Sequence, residues 1–214
     1  SSVNKKLVDH FKKLSKKIKN NKFIIDIGSN DGILLKPLKK LGVKAVGIDP
    51  SINIGKIANN KGLKTYVSFF NDNIVKKIIK LHDKPDVIVA SSIITHLENP
   101  SKFAQNIKKL LKKNGLLIIE FEYLLNFIKK LEYERFYFDR PFYYSLKSIS
   151  LLFKKVGMQI IDVEIIDIHG SSLRCYIKNN NSTNLKSTSR FKKILSEENN
   201  KLNYLVFKKF NYEI

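Results

Sequence analysis

The sequence predicts an α/β chain: a doubly wound, mostly parallel sheet with helices on both faces, plus a small aromatic-rich insertion. Three observations carry that expectation. Short β-branched runs alternate with helix-period segments from residue 23 to residue 121, the rhythm of strand–helix–strand units. The first run ends in a glycine turn, Gly28 to Gly32, that opens a helical pattern. A second run closes on Ile48-Asp49, an acidic strand end of the kind that takes ribose hydroxyls in such sheets.

Residues 3–20 place Val3, Leu7, Val8, Phe11, Leu14 and Ile18 at helical spacing, with lysines on the other face. The pattern then reads as a buried strand at 23–27, a turn at 28–32 and a helix at 33–40, broken by Gly42. A second strand at 43–48 is followed by a helix at 51–60, a short strand at 64–67, a helix at 72–81 and a strand at 86–90. A helix at 100–113 stops at Asn114-Gly115, a C-terminal glycine signal, before a strand at 116–121. Residues 123–146 then crowd aromatics together, among them Tyr123, Phe127, Tyr133, Phe136, Tyr137, Phe138, Phe142, Tyr143 and Tyr144. A helix at 148–156 ends at Gly157, strands follow at 160–166 and 173–177, and a polar stretch leads to a weakly amphipathic helix or tail at 190–214. The organisation expected is an N-terminal helix (1–22), one domain (23–178) and a polar segment with a C-terminal helix or tail (179–214).

The 214 residues suit one α/β domain with a sizeable core. No apolar run is long enough to span a bilayer, and lysines interrupt the apolar residues that open the chain, so no membrane association is expected and a cytoplasmic setting is. The single cysteine, Cys175, excludes an internal disulfide and a cysteine-based metal site; no metal is expected. A formal charge of +21 invites a nucleic-acid reading. Lysine is spread along the whole chain, in the company of Asn and Ile, which reads as compositional bias; the charge favours anionic ligands without marking a nucleic-acid surface. The oligomeric state stays open. Of the 40 basic residues only Arg135, Arg140, Arg174 and Arg190 are arginine, which marks places where a planar fork of donors could matter; chance is the alternative.

The loop itself narrows the ligand. A dinucleotide fingerprint spaces glycines to bring a helix N-terminus onto a pyrophosphate. Here the turn is Gly28-Ser29-Asn30-Asp31-Gly32, and the carboxylate of Asp31 repels a pyrophosphate while suiting an ammonium. S-adenosylmethionine carries an ammonium, a ribose and an adenine, and no phosphate.

The motifs D-I-G-S-N-D-G (26–32), G-I-D-P-S (47–51) and Ser68-Phe69-Phe70 resemble class I S-adenosylmethionine-dependent methyltransferases, whose sheet is Rossmann-like. Within that class the chain resembles the branch of nucleotide-sugar C-methyltransferases, through Asp86 to Ala90, His96, Glu120, Tyr123, Tyr143 to Leu146, and His169-Gly-Ser-Ser-Leu-Arg174. The resemblance implies that Asp26, Gly28, Ser29, Asn30, Asp31 and Gly32 line the methionine end of the donor. It implies that Asp49 takes the ribose, with Pro50 and Ser51 behind it, that Phe69 and Phe70 flank the adenine, and that Ser91 and Ser92 close the far side of the sulfonium. For either phenylalanine, core packing is the alternative.

The chain also departs from that branch. The family carries a cysteine-rich zinc module and a further C-terminal lobe; one cysteine cannot make the first, and the chain stops before the second, so the sequence reads as the catalytic domain alone, a fragment or a minimal form. The family's acceptor segment Tyr-His-Glu-His is replaced by Tyr137-Phe138-Asp139-Arg140. Arg140 cannot act as a general base, and carbon methylation beside a carbonyl needs one. The expectation is therefore O-methylation of a small, phosphate-bearing or nucleotide-activated acceptor used in bacterial surface polysaccharide synthesis, leaving S-adenosylhomocysteine. Carbon methylation of a nucleotide-linked deoxysugar is the alternative, and a nucleic-acid methyltransferase a more distant one. Tyr137 and His169 would orient the acceptor, Arg140 and Arg174 would grip a phosphoryl group, and His169, His96 or Asp139 could supply a base. Arg140 could instead merely pair with a carboxylate.

Overall fold

The structure, a computed structural model, describes residues 2–168, 170–180, 185–202 and 206–208. His169 and parts of the expected C-terminal tail lie outside the described residues. Among the described residues seven strands form a mixed sheet with helices on both sides, ordered across it as third, second, first, fourth, fifth, seventh and sixth in the chain. The strands are β1 (Phe23–Ile27), β2 (Lys44–Asp49), β3 (Thr65–Val67), β4 (Val87–Ser91), β5 (Leu116–Glu122), β6 (Met158–Ile166) and β7 (Ser172–Asn179). By its contacts the chain divides into two compact units, Ser1–Ser91 with Gln105–Ile118, and Ser92–Ala104 with Ile119–Ile214.

In the first unit β1 runs parallel to β2 on one side and to β4 on the other. All five residues of β1 are buried, four of them apolar and the fifth Asp26, as expected of a strand covered on both faces. Chain order reverses direction across the sheet at β1, and such a switch point opens a crevice at the carboxyl ends of the strands. Helices α1 (Lys5–Ile18), α2 (Leu35–Lys40), α3 (Ile52–Asn60), α4 (Asp72–Leu81) and α5 (Pro100–Leu110) connect the strands. Helix α2 starts two residues later than its pattern predicts, because the positive φ of Gly32 carries the turn on to Leu34. The Asn71 side chain caps α4 by accepting from the amides of Asn73 and Ile74. Among the described residues no helix is long and apolar enough to cross a membrane.

In the second unit β6 and β7 pair antiparallel, with an irregularity between Ile160 and Asp162. The aromatic stretch hides a helix that its pattern did not announce, α6 (Leu124–Lys130), which buries Leu125, Phe127 and Ile128. Helix α7 (Leu146–Lys155) begins two residues earlier than predicted, where Ser145 and Ser148 form a reciprocal capping box. Helix α8 (Ser189–Lys201) is docked by a buried carboxylate. Glu198 accepts from the amides of Leu146 and Lys147, at 2.5 and 2.8 Å, and from the Tyr123 hydroxyl at 2.7 Å. Its charge thus sits on the open amides of the first turn of α7, where the helix dipole favours an anion. Burial and the neighbouring Glu198 together hold the Tyr123 hydroxyl protonated far beyond its ordinary range.

Replacing Glu198 by Ala leaves those amides and the Tyr123 hydroxyl without their acceptor. We expect a loss of about 2–3 kcal/mol in unfolding free energy by denaturant titration, the cost of stranding buried donors that served a charged acceptor.

Candidate functional site

The turn after β1 is held by its backbone. Gly28, Asn30 and Gly32 have φ of 72°, 50° and 81°, conformations that glycine adopts freely and asparagine tolerates. The amides of Gly28 and Ser29 both donate to the carbonyl of Ile48, at 2.7 and 3.3 Å. The Asn30 amide donates to Asp49 Oδ2 at 2.9 Å, and Asp49 Oδ1 accepts the Ser51 amide at 2.9 Å. Asp49 is only 8% exposed, yet each of its oxygens keeps a second lone pair beyond these bonds. The Ser68 amide donates to the Asp49 carbonyl at 3.0 Å, which brings the Phe69-Phe70 segment alongside. Phe69 is 73% exposed and Phe70 half-buried, so core packing does not explain Phe69. Pro50 and Ser51 are exposed and Asp26 is buried within β1.

Two donor-side candidates, Ser29 and Asp31, are engaged within the chain itself. Ser29 is fully buried, and a Cβ on Gly47 would fall 2.3 Å from its hydroxyl oxygen; Gly47 exists to let Ser29 pack beneath the turn. Among the described residues the Ser29 hydroxyl has no hydrogen-bond partner, and a group so enclosed does not present itself to a ligand. Asp31 turns into a cavity of about 320 Å³ lined also by Val8, Lys12, Lys36 and Pro37, and its carboxylate accepts from the Ser2 amide and hydroxyl. Burial opposes its ionisation, but those bonds and Lys61 outweigh it and hold the carboxyl below its ordinary range. Asp31 is thus already satisfied within the chain.

The acceptor-side candidates all lie in the second unit, with His169 outside the described residues. Ser92 holds φ at 57° while its amide donates to the Glu120 carbonyl at 2.8 Å, a strained conformation for a side chain other than Gly or Asn. His96 ends a short 3₁₀ turn, Ile94–His96. Its Nδ1 is 3.3 Å from the Asp139 carbonyl and 3.7 Å from the Asp139 carboxylate. Two residues 43 positions apart are thereby brought together, an imidazole with a carboxylate behind it. Arg140 pairs through one terminal nitrogen with the buried Glu122 and lies 4.7 Å over the ring of Tyr137. Its Nε is buried and has no hydrogen-bond partner among the described residues. The Tyr143 hydroxyl accepts the Tyr137 amide at 2.7 Å and donates to the Arg135 carbonyl at 3.1 Å, which fixes the segment.

Arg174 does not fit a phosphoryl grip. It is 4% exposed and donates from Nε to Glu120 at 2.6 Å and from a terminal nitrogen to Glu164 at 3.0 Å. Burial works against its charge; Glu120 overcomes that and raises its pKa above the ordinary value. Glu120 and Glu122, two apart on β5, therefore each hold one arginine. Glu122 was missed in the sequence, although two carboxylates spaced by two in the otherwise apolar strand LLIIEFE sit on one face and ask for cations. Among the described residues no group of three or more His, Cys, Asp or Glu is arranged to hold a metal ion.

Fold and glycine turn together match the Rossmann-like class I methyltransferase fold that the sequence resembles. A model of the methyltransferase domain family matches residues 1–163, and the chain belongs to that family. Magnesium protoporphyrin IX methyltransferase from Synechocystis PCC 6803, solved with bound S-adenosylhomocysteine, shares the fold at a TM-score of 0.62 and 15% identity, over 80% of this chain and 83% of that one. A SAM-dependent methyltransferase from Archaeoglobus fulgidus does so at 0.65 and 13%, over 80% and 92%. In sequence the chain is similar to the C-methyltransferase NovU of Streptomyces niveus, 27% identical over 150 residues, which are 70% of this chain and 36% of that protein. It is also similar to the ubiquinone biosynthesis O-methyltransferase of Pelagibacter ubique, 34% identical over 104 residues, 49% of this chain and 43% of that protein. The chain thus spans less than half the length of these two relatives.

If Arg174 serves the fold, Arg174→Ala strands Glu120 and Glu164. Thermal and denaturant unfolding should then show a loss of about 3–5 kcal/mol, the cost of breaking a buried ion pair from one side, with no selective rise in the KM for an anionic acceptor.

Proposed function

We propose that this domain transfers the methyl group of S-adenosylmethionine to a hydroxyl oxygen of a small acceptor, phosphate-bearing or nucleotide-activated, that is used in bacterial surface polysaccharide synthesis. The observation that carries the oxygen reading is His96 set against Asp139, because an alcohol gains from a base at the moment its lone pair is used. When bound, the donor supplies a methyl group on a sulfonium, already activated for in-line displacement. On the donor side, Asp49 accepts the ribose hydroxyls, Gly28 and Gly32 leave the backbone bare for close approach, and Phe69 and Phe70 flank the adenine. Asp26 and Asn30 face the methionine end, with Pro50 and Ser51 behind the ribose and Ser91 and Ser92 beyond the sulfonium. Asp31 takes an ammonium only in exchange for Ser2.

On the acceptor side, His96 receives the hydroxyl proton at Nε2 while Nδ1–H is held by Asp139, whose carboxylate stabilises the imidazolium. Arg140, clamped by Glu122 and backed by the Tyr137 ring, keeps its side chain 18% exposed and offers the terminal N–H groups not spent on Glu122 to a phosphoryl oxygen. Carbon methylation is the second reading, favoured by the similarity to NovU; the same imidazole could take a proton from a carbon beside a carbonyl.

The deciding experiment supplies ¹³C-methyl donor and a panel of nucleotide sugars, phosphorylated sugars and their unphosphorylated counterparts. The carbon shift of the transferred methyl separates an O-methyl from a C-methyl product, and a C-methyl product sinks the oxygen reading. With the acceptor found, His96→Gln should lower kcat by about a hundredfold or more, the ordinary worth of a positioned base. Donor affinity should stay unchanged in that variant. Asp49→Ala should weaken donor binding by about tenfold or more in calorimetry, the loss expected for a charged hydrogen bond; an unaltered Kd removes Asp49 from the ribose.

A further inference from the structure

At the opposite end of the β1 strand from the glycine turn, the first unit gathers a second group of polar side chains. Phe23 opens β1, and Lys44, its register partner, opens β2. Lys64 immediately precedes β3, and His82 follows the last residue of α4. The Lys44 ammonium lies 4.9 Å over the Phe23 ring, and those of Lys64 and Lys77 lie 5.7 and 5.2 Å over the Tyr66 ring. The His82 ring is 5.5 Å from Phe23 and 6.2 Å from Tyr66, centroid to centroid, and its Nε2 shares a hydrogen bond of 3.0 Å with the Tyr66 hydroxyl. Four residue steps of β1, about 13 Å at the rise of a strand, separate this group from the donor turn.

Composition alone does not explain the gathering. The chain has fourteen Phe and nine Tyr, yet three ammoniums converge on two neighbouring rings. Among the described residues none of Lys44, Lys64 and Lys77 is ion-paired, and all three are exposed. Exposed ammoniums without a carboxylate partner make a positive surface that draws anions. Burial, followed by Lys64 and Lys44, pushes the His82 imidazole below its ordinary pKa against the opposing pull of Asp83, so the ring already senses these charges.

We propose that Lys44, Lys64, Lys77, Tyr66 and His82 form a binding site for a small phosphoanion, such as a phosphate monoester or diphosphate. Ammonium groups give the charge, and the Tyr66–His82 pair, joined by its own hydrogen bond, gives one directed donor with the imidazole neutral and two once the anion draws a proton onto His82. The ring faces on which a nucleobase would stack carry ammoniums instead, which favours a small anion over a single-stranded nucleic acid. The site stands independently of the methyl-transfer reading.

The test uses the chain as it is and inorganic pyrophosphate as probe, at low ionic strength, with the His82 ring followed by NMR. Saturable 1:1 binding with a rise in the His82 titration midpoint is expected. The variant Lys44→Gln/Lys64→Gln/Lys77→Gln should bind at least about tenfold more weakly, the loss expected for charged hydrogen bonds. Its S-adenosylmethionine affinity should match the parent's, which shows that the variant is folded. Three outcomes overturn the proposal: a His82 resonance indifferent to pyrophosphate, binding that survives the triple substitution, or a single-stranded RNA that moves His82 at concentrations where pyrophosphate does not.

Discussion

The carbonyl of Ile48 and the carboxylate of Asp49 together accept three successive amides of the turn after β1, and the geometry at the carboxyl ends of β1 and β2 depends on that lacing. A turn with three positive φ values has no ladder of its own to hold it. Without partners its amides would be buried donors, each costly to leave unmet. By borrowing acceptors from the end of β2, the turn is fixed to the strand that carries Asp49, so the glycines and the carboxylate keep one geometry. The Ser68 amide on the Asp49 carbonyl ties the segment after β3 to the same residue. Gly47 completes the arrangement from below, since only a residue without Cβ leaves room for the Ser29 side chain.

The division of labour between cations runs against what their chemistry suggests from sequence. Arginine, rare in this chain, looked like the ligand-gripping residue. In the structure Arg174 is consumed by Glu120 and Glu164, and Arg140 spends one nitrogen on Glu122. Buried carboxylates on an apolar strand need cations that remain charged when desolvated, and guanidinium does so better than ammonium. Lysine, abundant and easily dismissed as composition, supplies the unpaired charge around Tyr66 and Phe23. The informative quantity is the partner, and composition does not report partners.

Much of the fold was legible because its signals are local. Strands β1, β4 and β5 are apolar runs bounded by polar or turn residues, α4 keeps its predicted bounds, and Gly28 and Gly32 take the conformations that a tight turn demands. Helix α6 was hidden because Leu124, Leu125, Phe127 and Ile128 sit at the head of an aromatic cluster that masks their helical period. The site was legible only where it is local. The glycine turn and the buried Asp49 beside it could be read from motif spacing, whereas the ion pair of Arg174 with Glu120 joins residues 54 apart and Glu198 caps a helix 52 residues earlier. Long-range pairing of charges leaves no periodicity to read. Residue type alone therefore made Arg174 look available and Glu122 invisible.

For the 137–140 segment the consequence concerns how an acceptor would be chosen. The donor is already a reactive cation, so a methyltransferase gains most from holding its acceptor still. The segment has almost no regular structure, and its rigidity comes from side chains: the Tyr143 hydroxyl bridging Tyr137 and Arg135, the Phe136 and Tyr143 rings 4.6 Å apart, and Arg140 held between Glu122 and Tyr137. Because Glu122 neutralises Arg140, the guanidinium contributes direction more than net charge. On the proposed reading, selection by such a surface rests on the placing of one guanidinium and one imidazole, and on shape, with long-range attraction left to the lysines elsewhere in the chain.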